Sequence, residues 1–148
     1  MNRHFRRLAE GVLDEADLIA QTHDLADFVR QASAAYGAPE AGWVPVGFSN
    51  GANMANSLLM LHPELVAGSV GIAAMQLFAE TPQVPAAPRH ALIINGDSDE
   101  LVTAEMTDGL ITQLRKIGAD VQLIGHPGGH EVPDMVLDAV AAYISSLD

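Results

Sequence analysis

Gly47-Phe48-Ser49-Asn50-Gly51 joins an apolar run, Trp43 to Phe48, to a helix-forming stretch, Asn53 to Leu61. The pattern G-x-S-x-G between a strand and a helix puts the serine on a tight, strained turn. Glycines two residues to either side relieve the crowding of such a turn, which lifts the hydroxyl to the carboxyl end of a sheet. The N–H of the following residue, Asn50, is then the candidate donor to an oxyanion. Alone, the pentapeptide is a weak signal, because glycine and serine are common where strands turn into helices. Its surroundings carry the rest.

Upstream, Asp14 can cap a helix in which Leu18, Leu25, Phe28, Val29, Ala32 and Tyr36 recur at helical spacing. Gly37 ends that helix and Pro39 prevents its resumption. Trp43 to Phe48 reads as a buried strand, although Pro45 cannot donate to a ladder and prefers an edge. Downstream, Leu65 to Ala74, Ala91 to Asn95 and Val121 to Ile124 read as strands. Thr103 to Ile117 is predicted as a helix with Met106, Leu110, Leu114 and Ile117 on one face and Gly118 as its stop, and Val132 to Leu147 as a closing helix. Residues 1 to 13 show no firm period. Apolar strands alternating with helices predict one α/β domain, with a mainly parallel sheet of about four strands covered on both faces.

The chain of 148 residues suits a single domain, and 49% hydrophobic residues can supply its core. Cysteine is absent, which excludes disulfides, thiolate metal sites and a cysteine nucleophile. A formal charge of -12 repels phosphate backbones and anionic bilayers, so neither nucleic acid nor membrane is an expected partner. Arg3, Arg6 and Arg7 form the one basic cluster, but Glu10, Asp14, Glu15 and Asp17 soon reverse the charge, unlike a targeting segment. A soluble, cytoplasmic protein is expected.

Two further segments follow strands in the order that serine chemistry on such a sheet requires. Asn95-Gly96-Asp97-Ser98-Asp99 offers an acid, and Pro127-Gly128-Gly129-His130-Glu131 offers a base whose preceding glycines let the backbone bend. On chemistry alone Asp97 and Asp99 compete evenly, since either can be a turn residue bonding its own backbone. His4, His23, His62, His90 and His126 are read as surface or turn residues, with His126 the nearest rival base. His126, His130 and Glu131 match no zinc-binding pattern, so no metal is expected. Phe48, beside the serine, and Met75, at the end of the second strand, are the candidate pocket walls.

Gly47-Phe48-Ser49-Asn50-Gly51-Ala52-Asn53-Met54-Ala55 resembles the nucleophile segment of the bacterial carboxylesterase and phospholipase branch of the α/β-hydrolases, relatives of acyl-protein thioesterases and dienelactone hydrolases. Ile94 to Asp99 resembles the acid loop of that branch, in which the aspartate three residues after the glycine is the triad member; the resemblance thus favours Asp99. Gly118-Ala119-Asp120-Val121 with Pro127 to Glu131 resembles its histidine end, and the likeness begins near Phe5-Arg6-Arg7-Leu8. It implies hydrolysis of a small carboxylic ester through Ser49, Asp99 and His130, without a cofactor and with Asn50 in the oxyanion hole. A thioester is nearly as compatible. The dienelactone hydrolases use a cysteine, which this chain lacks.

The acid loop departs from the branch in having Glu100 and Thr103 where prolines are usual. The strands that open such domains, with the His-Gly-rich loop giving a second oxyanion donor, have no counterpart here. The expectation is a truncated α/β-hydrolase domain over residues 1–148, with activity weak and limited to activated esters unless a partner chain supplies a second oxyanion donor. With nothing preceding Trp43 to Phe48 to pair with it, a homodimer or higher homo-oligomer is expected. The rival expectation is a catalytically crippled fragment that serves as a binding or oligomerisation module.

Overall fold

The computed structural model describes residues 7–9 and 12–147; Arg3, His4, Phe5 and Arg6 lie outside them. The chain opens with a short antiparallel pair, β1 (Arg7–Ala9) and β2 (Val12–Leu13), which has no periodic signal in the sequence. Helix α1 (Glu15–Tyr36) follows, capped by the Asp14 carboxylate accepting from the Asp17 N–H and ended by Gly37 at φ 65°. The core elements are β3 (Val46–Phe48), α2 (Asn50–Leu61), β4 (Ser69–Ile72), β5 (Arg89–Gly96), α3 (Ala104–Lys116), β6 (Ala119–His126) and α4 (Asp134–Ser146). Among the described residues β3 to β6 form one parallel sheet in the order β3-β4-β5-β6.

Both faces of that sheet are covered, as its apolar strands require. Alternation along β5 divides the core: Ala91 and Ile93 pack with residues of α1, α2 and α3, whereas Leu92 and Ile94 pack with Val136, Val140 and Tyr143 of α4. Beneath the sheet's amino ends, the buried Arg89 guanidinium donates to the carbonyls of Leu59, Met60, Pro85, Ala87 and Ile117. It thereby ties the last turn of α2, the end of α3 and the proline-rich connection to β5.

Several expected boundaries and faces change. The strand predicted at Trp43 to Phe48 shrinks to Val46–Phe48, and it is an edge rather than a buried strand, with Val46 48% and Phe48 39% exposed. Pro45 is compatible with that edge: its carbonyl accepts from the Val70 N–H, and its missing donor leaves no ladder bond unmade. On α1 the buried stripe is Leu18, Thr22, Ala26, Val29 and Ser33, while Phe28 and Tyr36 stand in solvent. Small residues allow α1 to lie close on α2, and the Thr22 and Ser57 hydroxyls share a hydrogen bond of 2.8 Å between the two helices. Leu65 to Ala74 is a strand only over Ser69–Ile72, because Leu65 lies in a 3-10 turn and Ala73 adopts φ 54°. β6 extends beyond Val121 to Ile124 at both ends; as an edge strand it carries exposed Asp120 and Gln122.

Candidate active site

The loops that leave the carboxyl ends of β3, β5 and β6 converge. Ser49, between β3 and α2, has φ 55° and ψ -114°, a conformation that costs a non-glycine residue of order 1–3 kcal/mol and is held by its surroundings. Its N–H donates to the Ile72 carbonyl at 2.8 Å, and its carbonyl accepts from the Asn53 N–H at 3.2 Å. Of the two flanking glycines only Gly47 is sterically required. A Cβ there would collide with the backbone of Gly51 and Ala52, whereas a Cβ on Gly51 would meet nothing. The expected symmetric relief of crowding is therefore one-sided.

His130 Nε2 lies 3.0 Å from Ser49 Oγ, and His130 Nδ1 lies 2.8 Å from Asp99 Oδ2. The other Asp99 oxygen accepts from the N–H groups of Leu101 at 2.8 Å and Val102 at 2.9 Å. Burial alone would raise the Asp99 carboxyl, but the Val102 N–H, the His130 side chain and the Leu101 N–H outweigh it and hold the group below its ordinary value. An ionised carboxylate only accepts, so Nδ1 carries the proton and Nε2 faces the serine as the acceptor. Asp97 is exposed, its N–H donates to the His126 carbonyl, and its side chain lies beside Gly125. Between the two aspartates, Asp99 is the one at the imidazole.

The expected glycine hinge before His130 takes another form. Neither Gly128 nor Gly129 has a positive φ. Their carbonyls instead crowd Gly96, where any Cβ would collide with both, so Gly96 is what lets the acid and histidine loops close together. His126 is not a surface residue: it is 2% exposed and its Nδ1 accepts from the Gly128 N–H at 3.1 Å, shaping the same turn. Of the other histidines, His23 and His62 meet at 2.7 Å, and exposed His90 lies 3.8 Å from Asp120. Among the described residues no group of three or more His, Asp or Glu gathers as metal ligands.

Ser49 and His130 open onto a cavity of about 220 Å³ whose walls include Asn53, Ala73, Met75, Val102 and Met106, with Glu100 as its acidic member. Met75 is thus placed as expected. Phe48 is not a wall of this cavity; its ring packs on the His130 imidazole with centroids 4.8 Å apart. Sequence reasoning missed Asn53, Ala73 and Met106. Asn53, in the first turn of the helix that Ser49 leads into, could have been found by that nearness, whereas Met106 follows a stripe that reads as core. The Ala73 turn is clamped by Asn95, whose carboxamide accepts from the Ala74 N–H and donates to the Ala74 carbonyl, both at 2.9 Å.

A parallel sheet carrying a strained serine, an aspartate and a histidine, in that chain order, on loops at the carboxyl ends of its strands is the arrangement of an α/β-hydrolase. The chain belongs to the serine hydrolase (FSH1) family, whose pattern matches residues 22–139. It is 35% identical over 134 residues to the putative hydrolase MhqD of Bacillus subtilis (strain 168), covering 89% of this chain and 66% of that protein. The chain therefore spans slightly less than two thirds of that relative's length. Among solved structures it resembles the Bacillus cereus carboxylesterase, with a TM-score of 0.91, 28% identity and coverage of 99% of this chain and 69% of the other. It also resembles a carboxylesterase from Mesorhizobium loti, with a TM-score of 0.85, 29% identity and coverage of 97% and 68%. No described helix is long and apolar enough to cross a membrane.

Proposed function

We propose that this chain is a serine esterase that hydrolyses small, uncharged carboxylic esters through Ser49, His130 and Asp99. The observation that carries the reading is the unbroken relay from Ser49 Oγ through both imidazole nitrogens to Asp99. Ser49 Oγ attacks the ester carbonyl carbon while His130 Nε2 takes its proton, and Asp99 stabilises the resulting imidazolium. The carbonyl oxygen becomes an oxyanion, with the Asn50 N–H as proposed donor; Asn50 opens α2, at the positive end of the helix dipole. Collapse breaks the bond to the alkoxy oxygen, which leaves as the alcohol with the proton from His130. Water, deprotonated by His130, then attacks the acyl-enzyme, releasing the acid and restoring Ser49.

The cavity supports the substrate class. Its volume is below the ~300–1,000 Å³ of sites for drug-sized ligands, and the Glu100 carboxylate in its wall disfavours an anionic acyl chain. The likeness to two carboxylesterases agrees with an oxygen ester, although the relay would serve a thioester equally. The test is labelling with a fluorophosphonate followed by peptide mapping, together with turnover of an activated acetyl ester. Label on Ser49 and a loss on the order of 10⁴ to 10⁶ in Ser49→Ala are expected. Undiminished turnover in Ser49→Ala would end the reading.

A second proposal concerns assembly. We infer that two copies associate through the exposed β3 edge, because Val46 and Phe48 leave apolar surface beside unpaired strand groups. Light scattering at micromolar concentration should give at least a dimer, and a stable monomer would refute it.

A further inference from the structure

Asn53 is 1% exposed, and its Oδ1 is buried without a hydrogen-bond partner. Two other buried amides are well supplied: Asn95 bonds Ala74 twice and Thr107 once, and Gln113 donates to the Phe78 carbonyl. Asn56 also has an unpartnered atom, Nδ2, but it lies against Gly71 and does not line the cavity. Asn53 is therefore the orphaned amide at the wall that Ser49 and His130 share. A buried acceptor with no donor is a standing cost to the fold, and a ligand that supplies the donor removes it.

We propose that Asn53 determines specificity, accepting a hydrogen bond from a hydroxyl on the acyl chain of the substrate. The inference rests on the esterase reading and names the substrate class: short esters whose acyl group is hydroxylated. The acyl group is the part tethered to Ser49 Oγ, and Asn53 stands one helical turn from Ser49. Both residues line one cavity of about 220 Å³, so a hydroxyl a few carbons from the carbonyl lies within the same walls. The torsion at the end of an asparagine side chain is broad and two-fold, so the carboxamide can turn its oxygen to the cavity as the hydroxyl arrives. Ala73, Met75, Val102 and Met106 offer that hydroxyl no side-chain acceptor, and Glu100 and Thr103 are the cavity's other polar walls besides Ser49 and His130.

The test compares methyl 3-hydroxybutyrate with methyl butyrate. Wild-type protein should favour the hydroxylated ester in kcat/KM by at least about ten-fold, and Asn53→Leu should bring the ratio near one. Asn53→Ala serves if the leucine variant does not fold. A ratio near one in wild-type protein, or a preference kept in both variants, overturns the proposal. Calorimetry on Ser49→Ala protein, which needs no turnover, separates this outcome from failure of the esterase reading. There the hydroxylated ester should bind at least about ten-fold tighter, and equal affinities overturn the proposal whatever the turnover result.

Discussion

The backbone at Gly47 passes so close to the Gly51 carbonyl that no side chain fits on Gly47, while Gly51 itself faces open space. Two glycines of one motif thus answer to different causes. Gly47→Ala must displace the turn that holds Ser49, and a displacement of 1 Å at a reacting group costs about 10²-fold. Gly51→Ala places a better helix former in the first turn of α2 and should keep turnover within a few-fold, with up to ~1 kcal/mol of added stability. Ester turnover and thermal melts on both variants check this, and equal damage from the two would refute it.

Asp99 rather than Asp97 orients His130 in the proposed mechanism. Asp99→Asn should lower kcat by about 10⁴, because an amide permits the wrong imidazole tautomer, whereas Asp97→Asn should change it only a few-fold. Steady-state kinetics that rank the two variants the other way would reassign the acid.

The stability of the fold should depend on Asp99 in a defined pH window. Its carboxyl lies below its ordinary value of 3.8 in the folded chain, so between the folded and unfolded values the unfolded chain binds more protons and stability rises with pH. The contribution is complete above 3.8 and is lost as pH falls through the folded value. Urea unfolding of wild type and Asp99→Asn should therefore differ by a constant amount down to about pH 5, and the difference should shrink below that. A difference unchanged to about pH 2 would contradict the assignment.

Arg89 should matter for stability far from the candidate site. Arg89→Met strips buried carbonyls of α2, α3 and the proline-rich connection of their donor, and we expect a loss of roughly 3–5 kcal/mol. For a chain of this length that is a fall in melting temperature of about 6–20 °C. A shift below 2 °C, on the order of 0.5 kcal/mol, would show that water replaces the guanidinium.

The strand-helix alternation, the parallel sheet, the order of the three loops that carry Ser49, Asp99 and His130 and the strained position of Ser49 were all legible in the residues. Apolar runs, turn glycines and helix caps are local signals, and each of these features depends on neighbours in the chain. In the sequence only the resemblance favours Asp99 over Asp97, because two aspartates in one turn have equal local claims. What separates them is that Asp99 receives the Leu101 and Val102 N–H groups while turning toward a histidine thirty-one positions away.

Contacts of that kind mark what only the tertiary structure decided. Phe28 and Tyr36 look like core on a helical wheel, yet small residues face α2 because the distance between the helices, not hydrophobicity alone, selects what fits. The glycines before His130 read as a hinge in the sequence, but the glycine that the loops need is Gly96, on another strand. Asn53 and Met106 reached the cavity wall through the packing of α2 and α3 around it. A linear sequence encodes local conformation through steric and hydrogen-bonding preferences of adjacent residues. Which distant atoms come within bonding distance is settled only when all the elements pack at once, and that packing made one serine, one histidine and one of two aspartates into a relay.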